Sequence, residues 1–308
     1  MKRFLLALGV LGLSLAAWAQ PVGTAAAARR PLTAVERVVI ISIDGLRPDC
    51  LVRADAPVLH GLRREGASTL AARSVAAAST LPAHVSMLTG VEPRKHGIEW
   101  NGDPPAGRSG YPAVPAIFEL ATRAGYRTAF IAGKPKLAVL ARPGTVAFAA
   151  ILGGDAGTDA NVSAAAVQMI EEHRPDLLFI HFPGADAVGH ATGWGSPGQL
   201  AAIAAIDVNI GAILSALERT GLRRSTVVIV TADHGGEALA HGGQGVASQM
   251  VPWLVVGPGV HAGRDLATSG RPPVRLEDTA ATACWLLGLD LPEYFDGRPV
   301  REAFAADG

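Results

Sequence analysis

Short β-branched runs recur along the chain, each followed by a Gly- or Pro-containing turn and then by a helical stretch, and this alternation is the strongest constraint on the fold. Residues 38–43 (VVIISI), 177–182 (LLFIHF) and 226–230 (TVVIV) carry almost no polar side chain. Such uninterrupted apolar runs read as strands buried on both faces of a parallel sheet. Further strands are expected at 69–78, 126–132 and 253–256, and helices at 57–65, 114–124, 159–173, 199–219 and 277–287, with another starting at Pro82. Proline is well tolerated in the first turn of a helix. Strands that alternate with helices predict an α/β protein, a three-layer αβα sandwich around a mostly parallel sheet. In such sheets ligands collect beyond the carboxyl ends of the strands.

Three aspartates stand at those ends. Asp44 follows the run 38–43, Asp186 follows 177–182 and Asp233 follows 226–230. His234 adjoins Asp233, His190 lies four residues past Asp186, and His241 sits in a glycine-rich loop. With Thr80 these residues form a set of three carboxylates, three imidazoles and a hydroxyl. Zinc takes about four ligands of these types and keeps an open position when catalytic. The set is the right size for two Zn²⁺ ions, with other divalent ions as the alternative for mixed N/O ligands, and paired ions ~4 Å apart can clamp a phosphoryl group. Glycines 235 and 236 would allow the chain to bend so that Asp233 and His234 reach one ion. The four-residue spacing puts Asp186 and His190 on one face if the segment is helical; glycines 184 and 189 suggest a looser turn, which still allows the two to converge.

Thr80 precedes Pro82 and could simply cap that helix. Beside a metal ion it could instead lose its proton and act as a nucleophile. The amide of Asn101 could donate to a phosphoryl oxygen, or serve as an ordinary turn residue before Gly102. His84 and His181 lie among apolar residues and are expected in the core or behind the site; His60, His173 and His261 are expected at the surface. Trp100 and Trp194 flank the candidate loops as pocket walls or packing residues. Lys134 and Lys136 follow a strand end, where solvated lysines are the ordinary expectation and an anionic partner the alternative.

The chain has 308 residues, 49% of them hydrophobic, enough for a large α/β core. Lys+Arg and Asp+Glu are equal at 27, which argues against a surface that coats nucleic acid or a polybasic membrane patch. Lys2 and Arg3, the apolar run 4–17 and Ala17-Trp18-Ala19 form a signal peptide over 1–19, with a periplasmic or secreted destination. A membrane anchor is the competing reading, although the run is short and broken by Gly9 and Gly12. Residues 20–34 are expected to be a flexible leader and 35–308 a single catalytic domain, with no later membrane span. The two cysteines, Cys50 and Cys284, are expected to stay unpaired, with a disulfide as the alternative.

The motifs Ile43-Asp44-Gly45-Leu46-Arg47, Thr80-Leu81-Pro82-Ala83-His84, His96-Gly97-Ile98 with Asn101, Asp186-x-x-Gly189-His190, Thr231-Ala232-Asp233-His234-Gly235 and His241-Gly242 run in order along the chain. Together they resemble the alkaline phosphatase superfamily, nearest its nucleotide pyrophosphatase/phosphodiesterase branch. That resemblance implies one zinc ion held by Asp186, His190 and His241, and a second held by Asp44, Thr80, Asp233 and His234. It implies in-line attack by Thr80 through a covalent phospho-threonine, with Asn101 and a backbone N–H near Thr80 on a non-bridging oxygen.

The expected activity is hydrolysis of phosphate diesters or nucleotide pyrophosphates. A cysteine or serine at the nucleophile position with the arginine of the sulfatases is missing, as is the Asp-Ser-Ala motif of the alkaline phosphatases proper. Charge points the same way: two zinc ions and three aspartates leave a net charge near +1, which suits a singly charged diester. A phosphomonoesterase or phosphonate hydrolase is the alternative within the superfamily, and a zinc- or phosphate-binding protein the non-catalytic one.

Overall fold

The computed structural model describes residues 24–305 apart from 28, 244 and 271. The signal peptide expected over 1–19 lies outside the described residues. Eight strands form one sheet: β1 (Arg37–Ile43), β2 (Ala67–Arg73), β3 (Thr128–Ala132), β4 (Phe148–Ile151), β5 (Leu177–Phe182), β6 (Thr226–Thr231), β7 (Met250–Val256) and β8 (Arg264–Asp265). Their spatial order is β4-β3-β5-β1-β6-β7-β2-β8. The five strands from β4 to β6 are mutually parallel, and β7 runs antiparallel to both β6 and β2. The mostly parallel α/β sandwich read from the sequence is therefore the observed fold.

Register matters more here than strand count. Ser42 of β1 pairs with His181 of β5 on one side and with Thr231 of β6 on the other, and Ala132 of β3 pairs with His181. Four neighbouring strands thus end level, so whatever follows them shares one rim. β1, β5 and β6 are buried almost throughout, as their apolar runs require.

Helices cover the sheet in two groups. Asp159–His173 and Pro197–Arg219 pack together, with Pro48–Arg53, Pro57–Glu65 and Gly184–Thr192 against the latter. Thr80–Thr89, Ile117–Arg123 and Asp278–Leu286 form the other group. Ser196 and Thr158 cap the two long helices, their hydroxyls accepting from Gln199 N and Asn161 N. The 23-residue helix Pro197–Arg219 is long and apolar enough to cross a membrane, with mean hydropathy 2.0. In the fold it lies along the protein body and buries Gln199 and Asp207, and Asp207 accepts from Val58 N and Leu59 N at 3.0 and 2.7 Å.

Several boundaries differ from those read in the sequence. The strand expected at 69–78 is β2, Ala67–Arg73, and the following residues form a turn before the helix Thr80–Thr89. The helix expected at 114–124 shortens to Ile117–Arg123, because Pro112 and Pro115 hold the preceding backbone extended. β4 was not anticipated; its four residues, FAAI, are too few for a periodic signal. In the segment expected as a leader, Leu32 is buried and Arg30 Nε lies 3.4 Å from the Tyr126 hydroxyl. Cys50 and Cys284 are both buried and free. His60 and His173 are half-buried rather than fully on the surface: His60 Nε2 lies 3.0 Å from Leu51 O, and His173 stacks on Phe148.

Candidate active site

The level strand ends deliver Asp44 directly after β1, Asp233 two residues after β6 and Asp186 within the helix that follows β5. All three carboxylates are buried. Of the helix and the looser turn suggested around Asp186, the helix is observed, Gly184–Thr192, and its i, i+4 spacing puts Asp186 and His190 on one face. Helix formation survives both glycines because the segment packs along Pro197–Arg219 and Gly189 abuts Trp194.

Thr80 is the first residue of its helix, 1% exposed, and its hydroxyl faces the site: Oγ1 lies 3.3 Å from His234 Nε2. His234 Nε2 in turn lies 3.2 Å from Asp233 Oδ2 and 3.4 Å from Asp44 Oδ1. Asp186 Oδ1 is 3.4 Å from His190 Nε2 and 3.6 Å from His241 Nε2. The seven side chains singled out in the sequence therefore converge. Two subsets have mutually close ligand atoms, within 4.8 Å: Asp186, His190 and His241, and Asp44, Asp186 and His234. The first matches one ligand set read from the resemblance. The second shares Asp186, so this carboxylate stands between the two positions, with Asp233 beside His234.

Two features fit divalent cations. Asp44 Oδ1, Asp186 Oδ1 and Asp233 Oδ2 are buried without a hydrogen-bond partner, which is costly for an ionised oxygen unless a cation meets it. Each of the three histidines turns Nδ1 to a backbone carbonyl: His190 to Leu239 at 2.9 Å, His234 to Gly235 at 2.8 Å and His241 to Ala78 at 3.1 Å. A carbonyl only accepts, so Nδ1 carries the proton and Nε2 offers a lone pair toward the carboxylates. Burial and the neighbouring His234 lower His241 to about 4, which keeps its ring neutral near pH 7.

Surrounding groups fix these ligands. Gly133 N donates to His181 Nδ1 at 3.3 Å, which leaves His181 Nε2–H to donate to Asp44 Oδ2 at 2.9 Å. His84 bridges Ser42 Oγ, 2.8 Å from Nε2, and Thr80 O, 2.7 Å from Nδ1, so it ties the helix start to β1. Gly45 N donates to Asp233 Oδ1 at 3.1 Å; its φ of 73° and a would-be Cβ 3.1 Å from Asp186 Cα leave room only for glycine. At Gly235 and Gly236 the requirement is space rather than a left-handed backbone, since a Cβ on Gly236 would stand 2.3 Å from Trp194 Cε2. Trp194 is buried, donates to Gly45 O at 2.9 Å and meets His190 edge-on, which makes it a strut beneath the site.

Lys134 corrects the sequence reading. It is not a solvated loop residue: Nζ lies 2.7 Å from Asp44 Oδ2 and 2.5 Å from Asp186 Oδ2. Burial opposes its charge, but Asp44 and Asp186 outweigh that and push its pKa up. Burial likewise pushes Asp44 upward, yet Lys134 and the His181 hydrogen bond hold it well below the usual carboxylate range. Asp233 moves the other way, raised by burial and by the charge of Asp44. The available signal for Lys134 was its position two residues past β3, level with the other strand ends.

Asn101 reaches the start of the same helix. Its Oδ1 accepts from Leu81 N at 2.9 Å and lies 3.3 Å from Lys136 Nζ, which also donates to Asn101 O at 2.8 Å. With Oδ1 facing two donors, Nδ2 is the amide group left to donate outward. The backbone N–H expected to share that task, if it is Leu81 N, is already given to Asn101.

An αβα sheet whose strand ends gather aspartates and histidines around a buried threonine defines an alkaline phosphatase-like fold with a candidate metal centre. Residues 38–252 match the type I phosphodiesterase / nucleotide pyrophosphatase family, and the chain belongs to it. An uncharacterized pyrophosphatase/phosphodiesterase of Schizosaccharomyces pombe is 26% identical over 223 residues, which cover 64% of this chain and 44% of that protein. A 2,3-bisphosphoglycerate-independent phosphoglycerate mutase of Shewanella pealeana is 31% identical over 140 residues, covering 44% of this chain and 24% of that protein. The chain thus spans less than half the length of either relative. Among solved structures, an inactive variant of murine ectonucleotide pyrophosphatase/phosphodiesterase 5, in complex with AMP, superposes with a TM-score of 0.74 at 17% identity, over 88% of this chain and 100% of that one. A phosphonate monoester hydrolase of Silicibacter pomeroyi gives 0.65 at 18% identity, over 86% and 76% of the two chains. These likenesses establish the shared fold.

Proposed function

We propose that this chain is an exported, zinc-dependent phosphodiesterase or nucleotide pyrophosphatase that works through a covalent phospho-threonine. The observation that carries this reading is the convergence of three orphaned carboxylate oxygens and three histidine Nε2 atoms beside the Thr80 hydroxyl. Asp186, His190 and His241 would hold one ion, and Asp44, Thr80, Asp233 and His234 the other. When bound, such ions lower the pKa of a coordinated hydroxyl and offset charge on the entering and leaving oxygens.

The chain's own residues then have defined tasks. Thr80 Oγ1 forms a bond to phosphorus while the bond to the leaving alcohol or phosphate breaks; the leaving oxygen takes the electron pair and, in the net balance, the proton that Thr80 gives up. Water next attacks phosphorus, the Thr80–phosphorus bond breaks, and Thr80 regains its hydroxyl. Asn101 Nδ2 donates to a non-bridging oxygen throughout. His84 and the helix start hold Thr80 in line.

The lysines favour a second reading. Lys134 adds a positive charge to the earlier count, raising it from near +1 to near +2, and Lys136 stands at Asn101. That balance suits a doubly charged phosphomonoester or phosphonate better than the count without them. A zinc- or phosphate-binding protein without turnover is the non-catalytic reading.

The deciding experiment is an assay of the metal-loaded protein on bis-nitrophenyl phosphate, a nucleotide pyrophosphate, nitrophenyl phosphate and a phosphonate ester. Diester or pyrophosphate turnover that is lost with chelator and restored by Zn²⁺ is expected. Preference for the monoester or phosphonate reverses the ester class, and zinc-loaded protein without turnover on any of them leaves the binding reading. Export over residues 1–19, a domain over 35–308 and a small phosphate-ester partner complete the proposal. Amino-terminal sequencing of exported protein should begin at Gln20.

A further inference from the structure

Two ligand carboxylates at the site have a front oxygen and a rear one. The front atoms, Asp44 Oδ1 and Asp186 Oδ1, have no hydrogen-bond partner and face His234 and the His190–His241 pair. Lys134 Nζ holds both rear atoms, at 2.7 Å from Asp44 Oδ2 and 2.5 Å from Asp186 Oδ2. Asp44 has another rear partner in His181 Nε2. Among the described residues, the only hydrogen bond to Asp186 Oδ2 comes from Lys134. Asp44 lines one candidate ion position and Asp186 stands between the two, and one ammonium from a third strand end touches both.

We infer that Lys134 is a positioning residue that yokes the two ion positions together, allowing Asp44 and Asp186 to present one oxygen each. A carboxylate with both oxygens free can turn and take a single ion with the pair of them. That would raise the coordination number at one position, fill the open place a substrate oxygen needs, and withdraw Asp186 from the second ion. Groups behind metal ligands commonly govern orientation in this way. The ammonium is held by geometry: the side chain is 19% exposed and enters between the acids from the end of β3. This inference rests on the two-ion reading above.

Cobalt-loaded full-length protein tests it without reference to turnover, since four-coordinate Co²⁺ absorbs visible light more strongly than five- or six-coordinate Co²⁺. Wild type should bind two Co²⁺ per chain by elemental analysis. Lys134→Met, which keeps the length of the chain but not the charge, should lose about half the visible absorbance per ion as Asp186 becomes bidentate. It should also bind cobalt about 10-fold or more weakly. Lys134→Gln, which keeps one donor group, should change in the same direction and decides the matter if the Met variant does not fold. Lys134→Arg can reach both rear oxygens and should restore absorbance and affinity. An unchanged cobalt spectrum and affinity in the Met and Gln variants, even with a lower melting temperature, would make Lys134 a structural ion pair and overturn the inference. Wild type that fails to bind two ions overturns the two-ion reading instead, and this inference with it.

Discussion

Thr80 and His234, separated by 154 residues in the chain, meet with Oγ1 and Nε2 3.3 Å apart in a buried site. With His234 Nδ1 engaged by the Gly235 carbonyl, Nε2 can accept and the threonine hydroxyl donates. Thr80→Ala should therefore lower turnover on phosphate esters by about 10³-fold or more, the scale of nucleophile removal elsewhere. Ion content by elemental analysis should stay close to wild type, because aspartates and histidines supply the remaining ligands. Undiminished turnover would remove Thr80 from the nucleophile role.

Chelation should destabilise the protein as well as inactivate it. Asp44 Oδ1, Asp186 Oδ1 and Asp233 Oδ2 then stand buried with no cation before them. A ligand that binds only the folded state at a hundred times its Kd adds about 2.7 kcal/mol of stability per site. The melting temperature should fall with chelator and recover with Zn²⁺. Equal melting with and without ions would argue against a tightly held centre.

Asn101→Ala should lower kcat by about 10²-fold, as removal of a transition-state donor does in other enzymes. Lys136→Met should leave that donor in place but loosen it, since Lys136 Nζ donates to Asn101 O at 2.8 Å. If the two lysines read a second negative charge, the Met variant loses kcat/KM on nitrophenyl phosphate more than on bis-nitrophenyl phosphate. Equal losses on the two esters would favour the positioning role alone.

His96 provides a pH test away from the candidate ligands. Its Nδ1 accepts from Ile98 N at 3.1 Å and Nε2 lies 2.9 Å from Ser86 Oγ, an arrangement that needs the neutral ring. Burial lowers its pKa from 6.5 to about 4. The unfolded chain thus binds the proton more readily, so stability is full above pH 6.5 and declines as pH falls toward 4. A shift of this size is worth roughly 3 kcal/mol at ~1.4 kcal/mol per pH unit. His96→Gln should melt lower at pH 7 but show a shallower loss between pH 6.5 and 4. An unaltered slope in that window would show that His96 does not contribute to it.

Much of the site was legible because aspartate and histidine are unusual just beyond apolar strands. Asp44, Asp186 and Asp233 stood out against VVIISI, LLFIHF and TVVIV, and parallel register then brings those ends together. Lys134 was hidden because a lysine after a strand is ordinary, and only pairing of Ala132 with His181 reveals that β3 ends on the same level. Around Asp186 the looser turn that the glycines suggested gives way to the helical alternative for a different reason. Glycines 184 and 189 lower local helix propensity, and tertiary packing against Gln199 and Trp194 overrides it. β4 and the antiparallel placement of β7 depend on partners distant in sequence, which no local pattern encodes.

The common level at which four strands stop separates what must stay fixed from what is free to change. The sheet's pairing levels the strand ends after which Asp44, Asp186 and Asp233 follow, whereas the stretch from 102 to 116, between Asn101 and the helix Ile117–Arg123, carries none of the candidate ligands. Grafting a longer or differently shaped segment there should leave the arrangement of Asp44, Asp186 and Asp233 intact. That segment is therefore where the chain can be lengthened without disturbing the cluster.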